Sequence, residues 1–225
     1  MSLKIRIDDH LICAFCKSPY HPPPQVKRPV TCGRPECLKE RRRTLREGRV
    51  ITPFPRDGYK LMLEVLLNRG LEKEWMLVYI LGETGMLVSE VLRIKPVDLY
   101  FDGPEKKILV HQSSPKPAWS PKVFQKVSGS VAGAIEGWVK RSGVPRFGRI
   151  LPVSKRGAQK MFERAVRMAG VQGRWGTRSL RHMFGMIVAR ATDSIPAVAR
   201  ALRMKGPHPA RIYVTMTREL MEKGA

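Results

Sequence analysis

The chain has 225 residues, of which 43% are hydrophobic, and a formal net charge of +23. That length and apolar share suffice for one well-packed domain with a small module attached. The absence of an 18-residue apolar run, and an N-terminus (MSLKIRIDDH) too polar for a signal peptide, exclude a membrane partner and lead us to expect a cytoplasmic, nucleoid-associated protein. A basic excess of this size attracts phosphate backbones without regard to sequence, so double-stranded DNA is the expected partner.

Residues 1–50 form a distinct block. It opens on KIRI, passes through PYHPPPQVKRP, which cannot be helical across its prolines, and ends on the basic helix former LKERRRTLREGRV, which Gly48 can stop. All four cysteines lie here, spaced Cys13-x2-Cys16 and Cys32-x4-Cys37 around a loop. In an intracellular chain, two close pairs suit a tetrahedral Zn²⁺ ion better than two disulfides. The expected module is zinc-ribbon-like, and its zinc is structural, because four thiolates leave no open coordination position. Lys17, Lys27, Arg28 and Arg34 favour the thiolate forms. The competing reading is four unlinked buried thiols; His10 and His21 are spectators unless a cysteine fails to bind. On the basic helix, Lys39, Arg41, Arg42, Arg43 and Arg46 are expected to contact DNA phosphates rather than only water.

Residues 51–57 (ITPFPRD) read as a linker, and residues 58–225 as a second domain. YKLMLEVLLNRG has helical periodicity and stops at Gly70; EKEWMLVYILGETG reads as a more buried helix, and SEVLRI as a third helical piece. VDLYF and KKILVHQ suggest a hairpin turned at DGPE, with KVFQKVS as a third strand. SVAGAIEGWVKRSG is helical, and Ser154 caps KRGAQKMFERAVRMAG, which ends at Gly170. A buried helix is predicted over 178–191. Another follows, capped by Asp193 or Ser194 with Pro196 in its first turn, and a last helix covers about 208–223. The expected class is α+β, mostly helical with a small antiparallel sheet.

Four segments carry a resemblance. TGMLVSE (84–90) runs directly on into VLRIKPVDLYF as one segment; RILPVSKRGAQKMFERAVRMAGV precedes RSLRHMFGMIVARA (178–191); AVARALRMKGPHPARIYVTM (197–216) follows. In order and context they resemble the catalytic domain of the tyrosine recombinase (phage integrase) family, over roughly residues 55–220. That family has T-G-x-R-x-S-E, then H-x-L-R-H, then a leucine-glycine-histidine turn ahead of a tyrosine. The resemblance implies a tyrosine that attacks a DNA phosphodiester, two arginines on the phosphate oxygens, a hairpin lysine that protonates the leaving oxygen, and assisting histidines.

By this resemblance Tyr213 is the nucleophile, Arg181 the second arginine and His182 the histidine after it, with Lys116 or Lys122 as the hairpin lysine. Three positions depart. Leu87 replaces the first arginine, Arg178 replaces the first histidine of H-x-L-R-H, and Met204 replaces the last-box histidine, with Lys205 and His208 close by. Losing one preorganised donor costs about 10²–10³ in rate, and this donor is a charged fork that Arg93, six residues on, is wrongly placed to replace. The leading expectation is therefore a DNA-binding relative of the recombinases with impaired or lost cleavage. It would be accessory or regulatory, as a homo-oligomer or beside a partner recombinase. The alternatives are an active site-specific recombinase with a divergent site, and a zinc-dependent interaction adaptor.

Overall fold

The computed structural model describes residues 11–12, 16, 18–20, 34–39, 52–111 and 122–223. Two compact units divide the chain, Met1–Ile51 and Thr52–Ala225. In the smaller unit, β1 (Leu11–Ile12) pairs antiparallel with β2 (Pro19–Tyr20), Leu11 opposite Tyr20. A helical stretch covers 35–39 and starts three residues earlier than the basic sequence suggests, because Pro35 suits a first helical position whose N–H has no partner anyway.

In the larger unit, α1 (Arg56–Asn68) buries Tyr59, Met62 and Leu66, one stripe at helical spacing, and Gly70 ends it at φ +66°. α2 (Glu72–Thr84) is buried over most of its length, consistent with its near-continuous apolar sequence, and Gly85 stops it at φ +59°. It packs against α1, α4 (Gly129–Ser142), α5 (Lys155–Met168) and α6 (Thr177–Thr192), and so forms the centre of the core. Between α2 and α4 lie the single turn α3 (Val88–Val91) and a three-stranded antiparallel sheet. The sheet consists of β3 (Leu99–Tyr100), β4 (Lys107–Leu109) and β5 (Phe124–Lys126), in that order. α6 also packs on α7 (Ile195–Ala201) and α8 (Arg211–Lys223). This is the expected mostly helical α+β class.

Several boundaries differ from the sequence reading. The stretch read as a linker is not a linker over residues 52–57. Phe54 is 2% exposed, its N–H donates to the Ser179 carbonyl at 3.0 Å, and its ring meets Trp175 and Phe162 edge-on at 5.1 and 5.9 Å. Pro55 is extended, at φ −65° and ψ 133°, and α1 starts directly after it, at Arg56. Asp193 and Ser194 divide the work between α6 and α7. Asp193 ends α6 at φ +44°, and the Ser194 hydroxyl accepts from Ala197 N–H at 3.3 Å. Ser154 caps α5 as its sequence predicts, accepting from Gly157 N–H at 3.0 Å. The last helix is preceded by a 3-10 turn, His208–Ala210. Among the described residues no helix is long and apolar enough to cross a membrane.

Candidate functional site

Helix ends leave carbonyls without intrahelical partners, and a cation is favoured there. Arg181, on α6, serves two such ends together. One guanidinium nitrogen donates to the Gly85 carbonyl at the end of α2, at 2.6 Å, and the other donates to the Leu202 carbonyl at the end of α7. Burial, and then the charge of Arg203, push its ionisation below the ordinary arginine value, while Glu90 opposes the shift. Arg181 remains a cation with N–H groups to spare, since a guanidinium has five.

A second link joins the same two turns. The Glu90 carboxylate accepts from Leu87 N–H at 2.7 Å and from Arg203 at 2.8 Å through one oxygen, with both charged side chains nearly buried. Arg203 stands where the resembled turn has glycine, and it takes φ +53°, a conformation that favours glycine. The ion pair to Glu90 offsets that strain, about 1–3 kcal/mol for such a residue.

Tyr213, on α8, is 2% exposed, and its hydroxyl lies 2.8 Å from His182 Nδ1. The ring fits against Gly185, where an added Cβ would come within 2.7 Å of it. Burial raises the phenol's ionisation above its usual range, and Arg181 pulls it partly back. Burial, then Arg181 and Arg178, lower that of His182, so its neutral form is favoured and the two shifts together oppose transfer of the phenol proton to the ring.

Beside these groups lies an open cavity of about 410 Å³. Leu87, Arg178, Arg181 and Lys155 line it, with Met86 and Phe162 among its apolar walls. Tyr213 and His182 are not among its lining residues. The structure thus brings Arg178, Arg181 and Leu87 to one cavity and pairs Tyr213 with His182 on the neighbouring helices α8 and α6.

The other expected residues are placed as follows. Met204 is half-buried in the turn after α7, and Lys205 and His208 are exposed. Lys122 is exposed ahead of β5, and Lys116 lies outside the described residues. In the smaller unit Lys39 is exposed, Cys16 sits exposed in the turn between β1 and β2, and Cys37 is buried on the helical stretch. Cys13, Cys32, Arg41, Arg42, Arg43 and Arg46 lie outside the described residues. Among the described residues alone, no group of three or more His, Cys, Asp or Glu is gathered for a metal.

Sequence reasoning missed Glu90, Arg203, Gly185 and Lys155. Glu90 left a signal, an acid three residues after Leu87 and just inside a helix start, where it can reach back to a free N–H. Lys155 was visible only as the residue after a helix cap.

No family profile and no curated protein matches the sequence. Solved structures do match. The XerH site-specific recombinase in a post-cleavage complex with palindromic difH substrate has a TM-score of 0.61 at 20% identity, over 78% of this chain and 53% of that one. XerA recombinase has a TM-score of 0.60 at 18% identity, over 79% of this chain and 64% of that one. The Tn1549 transposon integrase in complex with transposon right end DNA has a TM-score of 0.59 at 16% identity, over 80% of this chain and 68% of that one. This chain therefore spans between about half and two thirds of the length of these neighbours. The fold of the chain is that of the tyrosine recombinase catalytic domain.

Proposed function

We propose that this chain binds double-stranded DNA as a member of the tyrosine recombinase superfamily whose strand cleavage is lost or strongly impaired. It acts as an accessory or regulatory subunit in DNA recombination or integration, as a homo-oligomer or beside an active recombinase. The observation that carries this reading is the cavity in which Leu87 lies with Arg178 and Arg181. A transferring phosphodiester needs charge-stabilising donors on both non-bridging oxygens, and an alkyl side chain supplies none. Tyr213 adds support, since burial raises the ionisation of its phenol while burial and two arginines lower that of His182, so both shifts oppose proton transfer between them. The net charge of +23 and the DNA-bound state of several structural neighbours support the DNA partner. The smaller unit is assigned a structural Zn²⁺ held by Cys13, Cys16, Cys32 and Cys37, with Lys39, Arg41, Arg42, Arg43 and Arg46 on DNA phosphates. A turn carrying Cys16 and a helical start carrying buried Cys37 fit a site built from two cysteine pairs.

Two measurements test the reading. Affinity for duplex DNA should fall steeply with salt, and an affinity nearly independent of salt would remove the phosphate argument. On a suicide substrate made from the protein's own flanking DNA, wild type should form little or no covalent adduct. Leu87→Arg should increase it, the cavity having room for the longer side chain, and Tyr213→Phe is the blank. A wild-type adduct forming at ordinary rates and abolished by Tyr213→Phe would establish the second reading, a working recombinase. The Tyr213–His182 hydrogen bond favours that reading, because it pairs a nucleophile with a neutral base.

A further inference from the structure

We infer that Lys155 supplies the cation that Leu87 withholds, so that the cavity holds one backbone phosphodiester of DNA through Lys155, Arg178 and Arg181. This rests on the DNA-binding reading above and assigns the residue that completes its phosphate site.

Lys155 and Leu87 are far apart in sequence, yet both line the same cavity, Lys155 from the first position of α5 and Leu87 from the turn before α3. Lys155 and Arg178 are exposed, and among the described residues neither is paired with a carboxylate. Glu163 is the one acid in the lining, against three cations. Arg203 is the other arginine near Arg181, but it does not line the cavity and its charge is committed to Glu90. Lys155 is therefore the cation placed to share a phosphate with the two arginines. Its position in the first turn of a 14-residue helix adds the favourable field of the helix start. The apolar walls at Met86, Leu87 and Phe162 strengthen the attraction by lowering the local polarisability around the ions.

The chemistry of lysine also fits binding without cleavage. An ammonium is a compact point charge on a flexible stem, whereas the planar guanidinium fork matches two oxygens together. Lys155 can neutralise a ground-state diester without the bidentate geometry that a charge-building transition state demands. Only interactions that strengthen in the transition state accelerate the reaction, so this phosphate is held and not turned over.

The test compares duplex affinity over a range of chloride concentrations for wild type, Lys155→Ala, Lys155→Arg, Leu87→Arg and the double variant Lys155→Ala/Leu87→Arg. Melting temperatures confirm folding, and an exposed residue such as Lys155 should leave them unchanged. Lys155→Ala should lower the slope of log affinity against log salt by about 0.9, equivalent to about an eightfold loss at about 0.1 M salt. Lys155→Arg should retain affinity. Leu87→Arg should restore most of the loss in the Lys155→Ala background and add less in the wild-type background, because both cations serve one phosphate. The inference is overturned if Lys155→Ala binds with unchanged affinity and slope. It is equally overturned if its loss persists in the double variant, which would put Lys155 on a different phosphate. If wild type itself does not bind duplex DNA, the functional reading fails, and this assignment with it. Binding by wild type with an indifferent Lys155 sinks the assignment alone.

Discussion

His182 lies where burial and two neighbouring arginines all disfavour its charged form. Its folded-state ionisation is therefore below the ordinary histidine value of 6.5. Between that lowered value and 6.5, the unfolded chain binds a proton that the folded chain does not, so acid favours unfolding. The stability contributed by neutral His182 is fully present above 6.5 and is lost as the pH falls through this window. Melting curves from pH 5 to 8 should show a fall on the acid side that His182→Gln reduces. An equally steep fall in the variant would place the acid sensitivity elsewhere. In the tautomer that carries its proton on Nε2, protonation would also stop Nδ1 from accepting the Tyr213 hydrogen. Tyr213 shows why residue identity alone does not establish a catalytic residue. It is aligned with a nucleophile, and yet it is packed in the Gly185 notch with a hydroxyl committed to His182.

Helix ends are the elements that assemble this site. The C-terminal turns of α2 and α7 come together because Arg181 binds a carbonyl from each, and because Glu90 ties the backbone at Leu87 to Arg203. The Glu90–Arg203 link is nearly buried, so removing one of its charges leaves the other without its charged partner and largely shielded from solvent. Glu90→Ala should therefore destabilise the larger unit by about 3–5 kcal/mol, the range for a broken buried ion pair. Glu90→Gln, which can still accept from Leu87 N–H, should cost less. Urea unfolding of the two variants measures this, and equal, small losses would show that the pair contributes little. By contrast, Asp193 and Arg218 form a two-pronged pair at 2.7 and 2.8 Å on the open surface. Solvent and salt screen that contact, and Asp193→Asn should leave the melting temperature nearly unchanged.

At the scale of the whole molecule, charge and metal carry the expectations. A block of about 50 residues can rarely build a sufficient core alone, and four cysteines at metal spacing supply the usual remedy. Purified full-length protein should contain about one zinc per chain, and a chelator should lower the stability of the smaller unit. Protein without zinc whose melting a chelator does not change would refute the four-thiolate assignment. Reversing the charge at Arg41, Arg42 and Arg43 should weaken binding to all duplexes alike, since phosphate contacts carry no sequence information.

The sequence by itself determined the element order, the α+β class and most helix ends. Those signals act within a few residues: Gly70 and Gly170 adopt positive φ where helices stop, and Ser154 and Ser194 cap an N–H three positions on. It also determined the order of the four segments that resemble the recombinases, because each is a short local pattern. Only the tertiary structure decided that Phe54 belongs to the core, a matter of which distant rings close around it. Only it decided that Arg181 is held by carbonyls, one of them 96 residues away. The shared cavity of Leu87 and Lys155, and the seating of Tyr213 against Gly185, were likewise tertiary decisions. Each depends on where helix ends meet after packing, and no local propensity encodes a meeting between elements that are distant in sequence.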